Sequence, residues 1–340
     1  WRTSWPVWEI AGMDDATMEL VYGEPLSVYA SLVRSCLVPS PGNVFVDADF
    51  SSVENRVAAW ISDDHATVEL FRNGLDQYVD FAAHSLYHVP EEQVTKKMRQ
   101  VSKSAVLGCV YGQGGKGYQQ YAATFGVAVD LAEANRVVKV FRARYAKVKA
   151  MWRKMGDASV QAVLKPDILV EVNSHAAFIY ETKYNLLRLR LPSGRFISFF
   201  QPELEMAHMR KKKDDEDASW QPYDGSPQNP KQWDFFSSQV VTAMGIDTRT
   251  RQWKRNPIPG YKFFQNAVQG TAYDLLANAQ RNLEAEGFDV VLTVHDEVLA
   301  DVPFDKADLQ RFISAMVRLP EWAEGLPLAA DGWVGPRFKK

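Results

Sequence analysis

The sequence predicts an α+β fold in which antiparallel strands carry the chemistry and helices surround them. Three stretches say so. Val44–Phe50 alternates apolar and polar positions and runs directly into a helical pattern. From Ala66 to about Trp152 apolar residues recur at helical spacing. Asp289–Val302 reads as two apolar strands folded back at His295–Asp296–Glu297.

The chain has 340 residues, room for two or three domains and a sizeable core. A net charge of −3 does not advertise nucleic acid, although bulk charge can hide a local basic face. Cys36 and Cys109 stand in unrelated contexts, so no disulfide framework or cysteine zinc site is expected. A reducing, cytoplasmic setting fits that usage. No apolar run reaches the ~20 residues of a membrane span, so no membrane partner is expected. The chain opens at Trp1 without a signal peptide or Met and reads as a fragment.

In chain order, Glu19–Val38 is helical until Pro39 and Pro41–Gly42 end it. In the first strand Val44, Val46, Ala48 and Phe50 share one face, and Phe45, Asp47 and Asp49 the other. Asp49 is the last acid before the backbone turns into Ser51. Ser51 and Glu54 have the S-x-x-E spacing of a capping box. Val53, Val57, Trp60 and Ile61 then give the following helix one apolar stripe, and Asp63–Asp64 stops it.

Val68–Arg72, Tyr78–Tyr87 and Glu91–Tyr111 continue as helices. In the last, Arg99, Lys103, Leu107 and Tyr111 recur every four residues along one slowly drifting edge. By spacing alone this is first a solvated edge with a half-buried lower end. Its alternative is a stripe where cations meet phosphates and an aromatic meets a base. Gly112–Gly117 fails the G-x-x-x-x-G-K-[ST] pattern and reads as a turn that ends a helix. His84 and His88 are four apart, with no evident third metal ligand.

Arg136–Lys154 holds eight cations and no acid, with Phe141, Tyr145 and Trp152 interleaved. It suits a phosphate backbone as well as it suits a solvated face over a buried aromatic stripe. Leu186–Leu191 and Arg195–Phe200 form a hairpin about Pro192–Ser193–Gly194. Met209–Pro230 is a charged loop in which RKKK runs into DDED. Phe263–Glu286 is a long helix with Gln265, Gln269 and Tyr273 on one face.

Two acids at strand tips therefore stand out, Asp49 and Asp296. Brought together, they would hold a pair of Mg²⁺ ions ~4 Å apart, activating a hydroxyl and stabilising a leaving phosphate. Taken singly, Asp49 is a helix-start acid and Asp296 a turn residue.

Three segments in this order resemble the motifs of family A DNA polymerases. DADFSSVENR at 47–56 resembles motif A, RQVSKSAVLGCVYG at 99–112 motif B, and VHDEV at 294–298 motif C. LVYGEPLSVYASLVRSCLVP, LPSGR at 191–195, QNAVQGTAYDLLA at 265–277 and GWVGPRFKK resemble the bacteriophage-type branch, so the likeness covers roughly the whole chain. It implies a right-hand palm, an antiparallel sheet flanked by helices, at about 1–62 and 262–340. Mainly helical fingers would fill 63–261, and the thumb and exonuclease domain would be absent.

The activity implied is template-directed addition of dNTPs to a primer 3′ end, with two Mg²⁺ ions for which Mn²⁺ can substitute. Primer-template DNA and dNTPs would be the partners, with upstream thumb or exonuclease domains or another replisome subunit as further ones. Asp49 and Asp296 would bind the metals with the Phe50 carbonyl, and Glu297 would support them. Arg99 and Lys103 would hold the triphosphate. Phe50, Ser51, Glu54, Leu107, Tyr111 and Tyr78 would line the nucleotide site, Glu54 excluding a ribose 2′-OH and Tyr111 stacking near the nascent pair. Arg195, Gln265, Gln269 and His295 would contact DNA. Leu107 stands where the family usually has Phe or Tyr, Tyr78 where many members have His, and Asn55 where Leu is usual. Gln265 and Gln269 compete for one family position. The rival readings are a primer-template-binding module without catalysis and a single-subunit RNA polymerase, against which Glu54 argues.

Overall fold

In the computed structural model the described residues are 12–213, 221–223, 232–247 and 250–338. The chain opens with helices α1 (Asp15–Tyr22) and α2 (Pro25–Leu32), then strand β1 (Asn43–Phe50). Helices α3 (Val53–Ile61), α4 (His65–Arg72), α5 (Gln77–Asp80), α6 (Lys96–Cys109), α7 (Gly115–Thr124), α8 (Leu131–Arg144) and α9 (Ala146–Leu164) follow. Strands β2 (Val170–Asn173), β3 (Ala176–Glu181), β4 (Leu186–Arg190), β5 (Phe196–Lys212), β6 (Gln221–Pro222), β7 (Trp233–Ile246) and β8 (Trp253–Ile258) come next. Helix α10 (Gly260–Ala285), strands β9 (Val290–Val294) and β10 (Glu297–Pro303), helix α11 (Leu309–Met316) and strand β11 (Ala330–Gly335) complete the order. There are two compact units. The first takes the chain up to Val53, Tyr273–Glu321 and the residues from Leu328 on; the second takes Glu54–Ala272 and Trp322–Pro327.

The first unit is built on a four-stranded antiparallel sheet in the order β11-β1-β10-β9. Its register sets Asp49 opposite Glu297 on one side and opposite Asp331 on the other. The expected alternation of β1 is only half of its burial pattern, because Phe45 and Asp47 are buried as well as Val46, Ala48 and Phe50. The cause is a second covering layer: Phe45 packs with Leu299 and Phe338. Phe338 is held there as its amide donates to the Leu37 carbonyl at 3.2 Å. On this sheet Gly332 lies so close to β1 that a Cβ there would fall 2.2 Å from the Asp47 carbonyl oxygen and 3.0 Å from Leu309 Cδ1. The helix expected over Glu19–Val38 is broken in two. Gly23 takes φ +98 at the end of α1, and Pro25 opens α2, where its missing N–H costs nothing.

The second unit joins α3–α9 to a larger antiparallel sheet, β2-β3-β4-β5-β7-β8, with β6 paired on β5. Carboxylates and a hydroxyl start its helices: Asp64 accepts from Thr67 N, Asp76 from Tyr78 N, and Thr95 from Met98 N. The expected hairpin is β4–β5, Leu186 opposite Phe200 and Arg190 opposite Phe196, with Gly194 at φ +84 in the turn. The rest of the sheet was not expected. β5 runs on to Lys212, so Met209–Lys212 is strand where a charged loop was expected. Residues 214–220 and 224–230 of that stretch lie outside the described residues. Phe178 and Phe199 both meet Phe263 of α10 edge-on, at 5.0 and 4.9 Å between centroids, which anchors the helix to the sheet.

Candidate active site

The first unit gathers carboxylates on one face of its sheet. Residues directly opposite in an antiparallel pair share a face. Asp49, Glu297 and Asp331 therefore share one, and Asp47, two residues before Asp49, joins them. Asp296 follows His295 in the tight β9–β10 turn, where His295 takes φ +57. The Phe50 amide donates to the Asp296 carbonyl at 3.2 Å, so the two strand tips that carry Asp49 and Asp296 lie side by side.

Glu297 is almost fully buried and bound by one cation. Arg34 Nη1 donates to both its oxygens, at 3.0 and 2.7 Å. The guanidinium also lies over the Phe338 ring, 4.5 Å from its centroid, and Arg337 donates to the Ser35 carbonyl at 2.9 Å. The end of the chain thus fixes the turn that carries Arg34. Asp47, 2 % exposed, hydrogen-bonds Glu297. Burial first, then the charges of Glu297 and Asp49, push its carboxyl up to about 8, against a smaller opposing pull from Arg34. Its Oδ2 has no hydrogen-bond partner.

Four carboxylates and one described arginine leave an excess of negative charge. The donors are hard oxygens of the kind Mg²⁺ takes, so the residue set fits a divalent cation. They form no trio of ligand atoms within 4.8 Å of one another among the described residues. Asp80, His84 and Glu91 do. There Asp80 already accepts from Arg144 at 3.1 Å, which meets its charge.

The S-x-x-E capping box does not form. Ser52 takes φ +54 and the helix begins one residue later than that motif needs. The Ser51 hydroxyl donates instead to Asp331 at 2.9 Å.

In the second unit Glu54 accepts from the Tyr111 hydroxyl and, at 3.4 Å, from Gln269 Nε2. Burial, then the Glu54 charge, drive the Tyr111 phenol upward, so it stays a donor. Gln269 rather than Gln265 thus joins Glu54; Gln265 accepts from Lys262 at 3.4 Å on the preceding turn. Arg99, Lys103 and Leu107 are half-exposed along α6, and Tyr111 continues their line just past its end at Cys109. Arg99 pairs with Asp76 at 2.7 Å. Tyr78 is buried, with Asn55 donating to its hydroxyl at 3.2 Å. Its ring lies under both cations, 5.3 Å from Arg99 and 5.9 Å from Lys103. It is a platform for the two cations. Arg195 donates to the Gly270 carbonyl at 2.9 Å, one residue from Gln269.

Arg34, Asp47 and Asp331 were missed as members of the acid face. The D-x-D spacing of Asp47 and Asp49 was a usable signal. Arg34 and Asp331 had none, since their partners are 263 and 280 residues away.

The sequence model of DNA polymerase family A matches residues 27–164. The DNA polymerase of Bacillus phage SP02 is 33% identical over 325 residues, 95% of this chain and 45% of that protein. This chain belongs to DNA polymerase family A. It is also similar to DNA polymerase I of Geobacillus stearothermophilus, 42% identical over 81 residues, 24% of this chain and 9% of that protein. The POL domain of Pol1 from M. smegmatis, solved in complex with DNA primer-template and dNTP, shares the fold. The TM-score is 0.54 at 20% identity, over 90% of this family A chain and 42% of that one. The chain spans less than half the length of the phage relative. Among the described residues, no helix is long and apolar enough to cross a membrane.

Proposed function

We propose that this family A chain is the catalytic portion of a DNA-directed DNA polymerase, extending a primer 3′ end with dNTPs on a template. The observation that carries the proposal is the sheet register: Asp49 stands opposite Glu297, and Phe50 is hydrogen-bonded to Asp296. Divalent cations held by Asp49, Asp296 and the Phe50 carbonyl would lower the pKa of the primer hydroxyl and neutralise charge on the departing pyrophosphate.

The chain's own residues have separate tasks. Arg34 fixes Glu297 and offsets part of the negative charge on the acid face, keeping Asp49 and Asp296 placed. Arg99 and Lys103 bind the triphosphate and stabilise the charge that develops on it, Arg99 exchanging Asp76 for phosphate. The apolar side chain of Leu107 packs against the sugar. Glu54, held by Tyr111 and Gln269, occupies the space a ribose 2′-OH would need. Arg195, Gln269 and His295 contact the DNA.

The test is primer extension on a primed template with dNTPs or rNTPs. Template-dependent extension with a strong preference for dNTPs is expected. Efficient extension with rNTPs, or template-independent addition, would overturn the proposal.

A further inference from the structure

Asn55 has no task in the proposed reaction, although it follows Glu54 directly in the first turn of α3. It is 3 % exposed, and a buried amide is costly unless it is hydrogen-bonded. Its Nδ2 donates to the Tyr78 hydroxyl at 3.2 Å, while its Oδ1 has no hydrogen-bond partner. Among the described residues the amide is therefore spent on Tyr78. Asn55 and Tyr78 both depart from the family pattern, and each is the partner of the other.

The backbone of Tyr78 is fixed without Asn55. Its amide donates to Asp76 Oδ1 at 2.7 Å, and its carbonyl accepts from the Ser102 hydroxyl of α6 at 2.6 Å. What these contacts leave open is the swing of the ring about its side-chain torsions. Asn55 bonds the far end of that ring. A cation is drawn to an aromatic face within about 6 Å of its centroid, so the tilt of the ring sets where Arg99 and Lys103 rest. Arg99 has a second anchor, because its Nε donates to Asp76 Oδ2 at 2.8 Å. Lys103 has no acidic partner among the described residues, and at 5.9 Å it stands at the limit of the attraction. A tilt that withdraws the ring therefore releases Lys103 first.

Resting on the assignment of Arg99 and Lys103 to the triphosphate, we propose that Asn55 is a positioning residue for nucleotide binding. Through Tyr78 it sets where the Lys103 ammonium stands. Consecutive residues of one helical turn point about 100° apart, which lets α3 serve two places on α6. Glu54 reaches Tyr111 just past the end of that helix, and Asn55 reaches the ring beneath its two cations.

The test is isothermal titration of the chain with inorganic tripolyphosphate in EDTA, which keeps divalent cations and primer extension out of the readout. The variants are Asn55→Leu, Tyr78→Phe and the two together, with urea unfolding as the check on fold. Leu is a good helix former, and Phe keeps the ring. Each single variant should weaken binding by about two- to tenfold, the reach of one neutral hydrogen bond. The double variant should be no weaker than the weaker single one, because both remove the same bond. In a Lys103→Gln background, Asn55→Leu should have no further effect. Unchanged affinity in Asn55→Leu, with or without a loss of stability, overturns the proposal and leaves Asn55 a packing residue. A loss that persists in full without Lys103 also overturns it, as does a wild type that binds no tripolyphosphate. In primer extension the KM for dNTP should rise by the same factor. A chain that extends no primer but shows the coupled loss of tripolyphosphate sinks the polymerase reading and supports this one.

Discussion

Asp47→Asn should stabilise the protein above neutral pH, the reverse of what removing a native carboxylate usually does. In the native state Asp47 is raised from 3.8 to about 8 by burial and by the negative charge of Glu297 and Asp49. The native state therefore holds a proton that the unfolded chain gives up. A raised pKa contributes stability that is fully present below about 3.8 and is lost as pH rises toward about 8. At about 1.36 kcal/mol per unit, the roughly four-unit interval corresponds to about 5 kcal/mol lost between acid and pH 9. Asn cannot ionise, keeps the shape, and offers an N–H to Glu297. Urea unfolding in EDTA at pH 5, 7 and 9 measures the difference. The variant should gain on the wild type by less than about 2 kcal/mol at pH 5 and by several at pH 9. Parallel pH profiles, or a wild type that gains stability toward pH 9, would refute the reasoning.

Three further outcomes are expected. Arg34→Met leaves Glu297 buried without its cation; allowing for the partly exposed arginine, unfolding free energy should fall by about 3 kcal/mol, and adding Glu297→Gln should restore part of it. Gly332→Ala drives a Cβ against the Asp47 carbonyl at 2.2 Å and should cost about 3 kcal/mol in the same unfolding assay. Glu54→Ala empties the space against the 2′ position, so the ratio of kcat/KM for dNTP over rNTP should fall by at least about tenfold, roughly 1.4 kcal/mol. An unchanged ratio would remove Glu54 from sugar selection.

Where local pattern and tertiary role coincide, the sequence was informative. The strand that ends at Asp49 and the hairpin that turns at His295–Asp296 were visible because alternation and turn chemistry act over a few residues. The pairing of Arg34 with Glu297 was not, because it joins residues 263 apart and depends on Phe338 folding over the sheet. Asp47 showed as a strand acid but not as a buried one, since the layer above it comes from the far end of the chain. Ser51 and Glu54 had the spacing of a cap, yet Ser51 donates to Asp331 and Glu54 accepts from Tyr111 and Gln269, with Ser52 at φ +54 between them. The second sheet was under-read because β7 shows no alternating burial over its first eight residues and β5 ends in a run of cations that reads as a loop. The aromatics of 141–152 were legible as a helical stripe, but whether they faced bases or core depended on packing.

The central claim is that Asp49 and Asp296 together support nucleotidyl transfer. Single-turnover incorporation of one correct dNTP onto a primed template, with saturating Mg²⁺, tests it most directly. The wild-type chain should extend the primer, and Asp49→Ala and Asp296→Ala should each slow incorporation by more than about 10³-fold with the fold intact. Incorporation by either variant at near the wild-type rate would contradict the assignment.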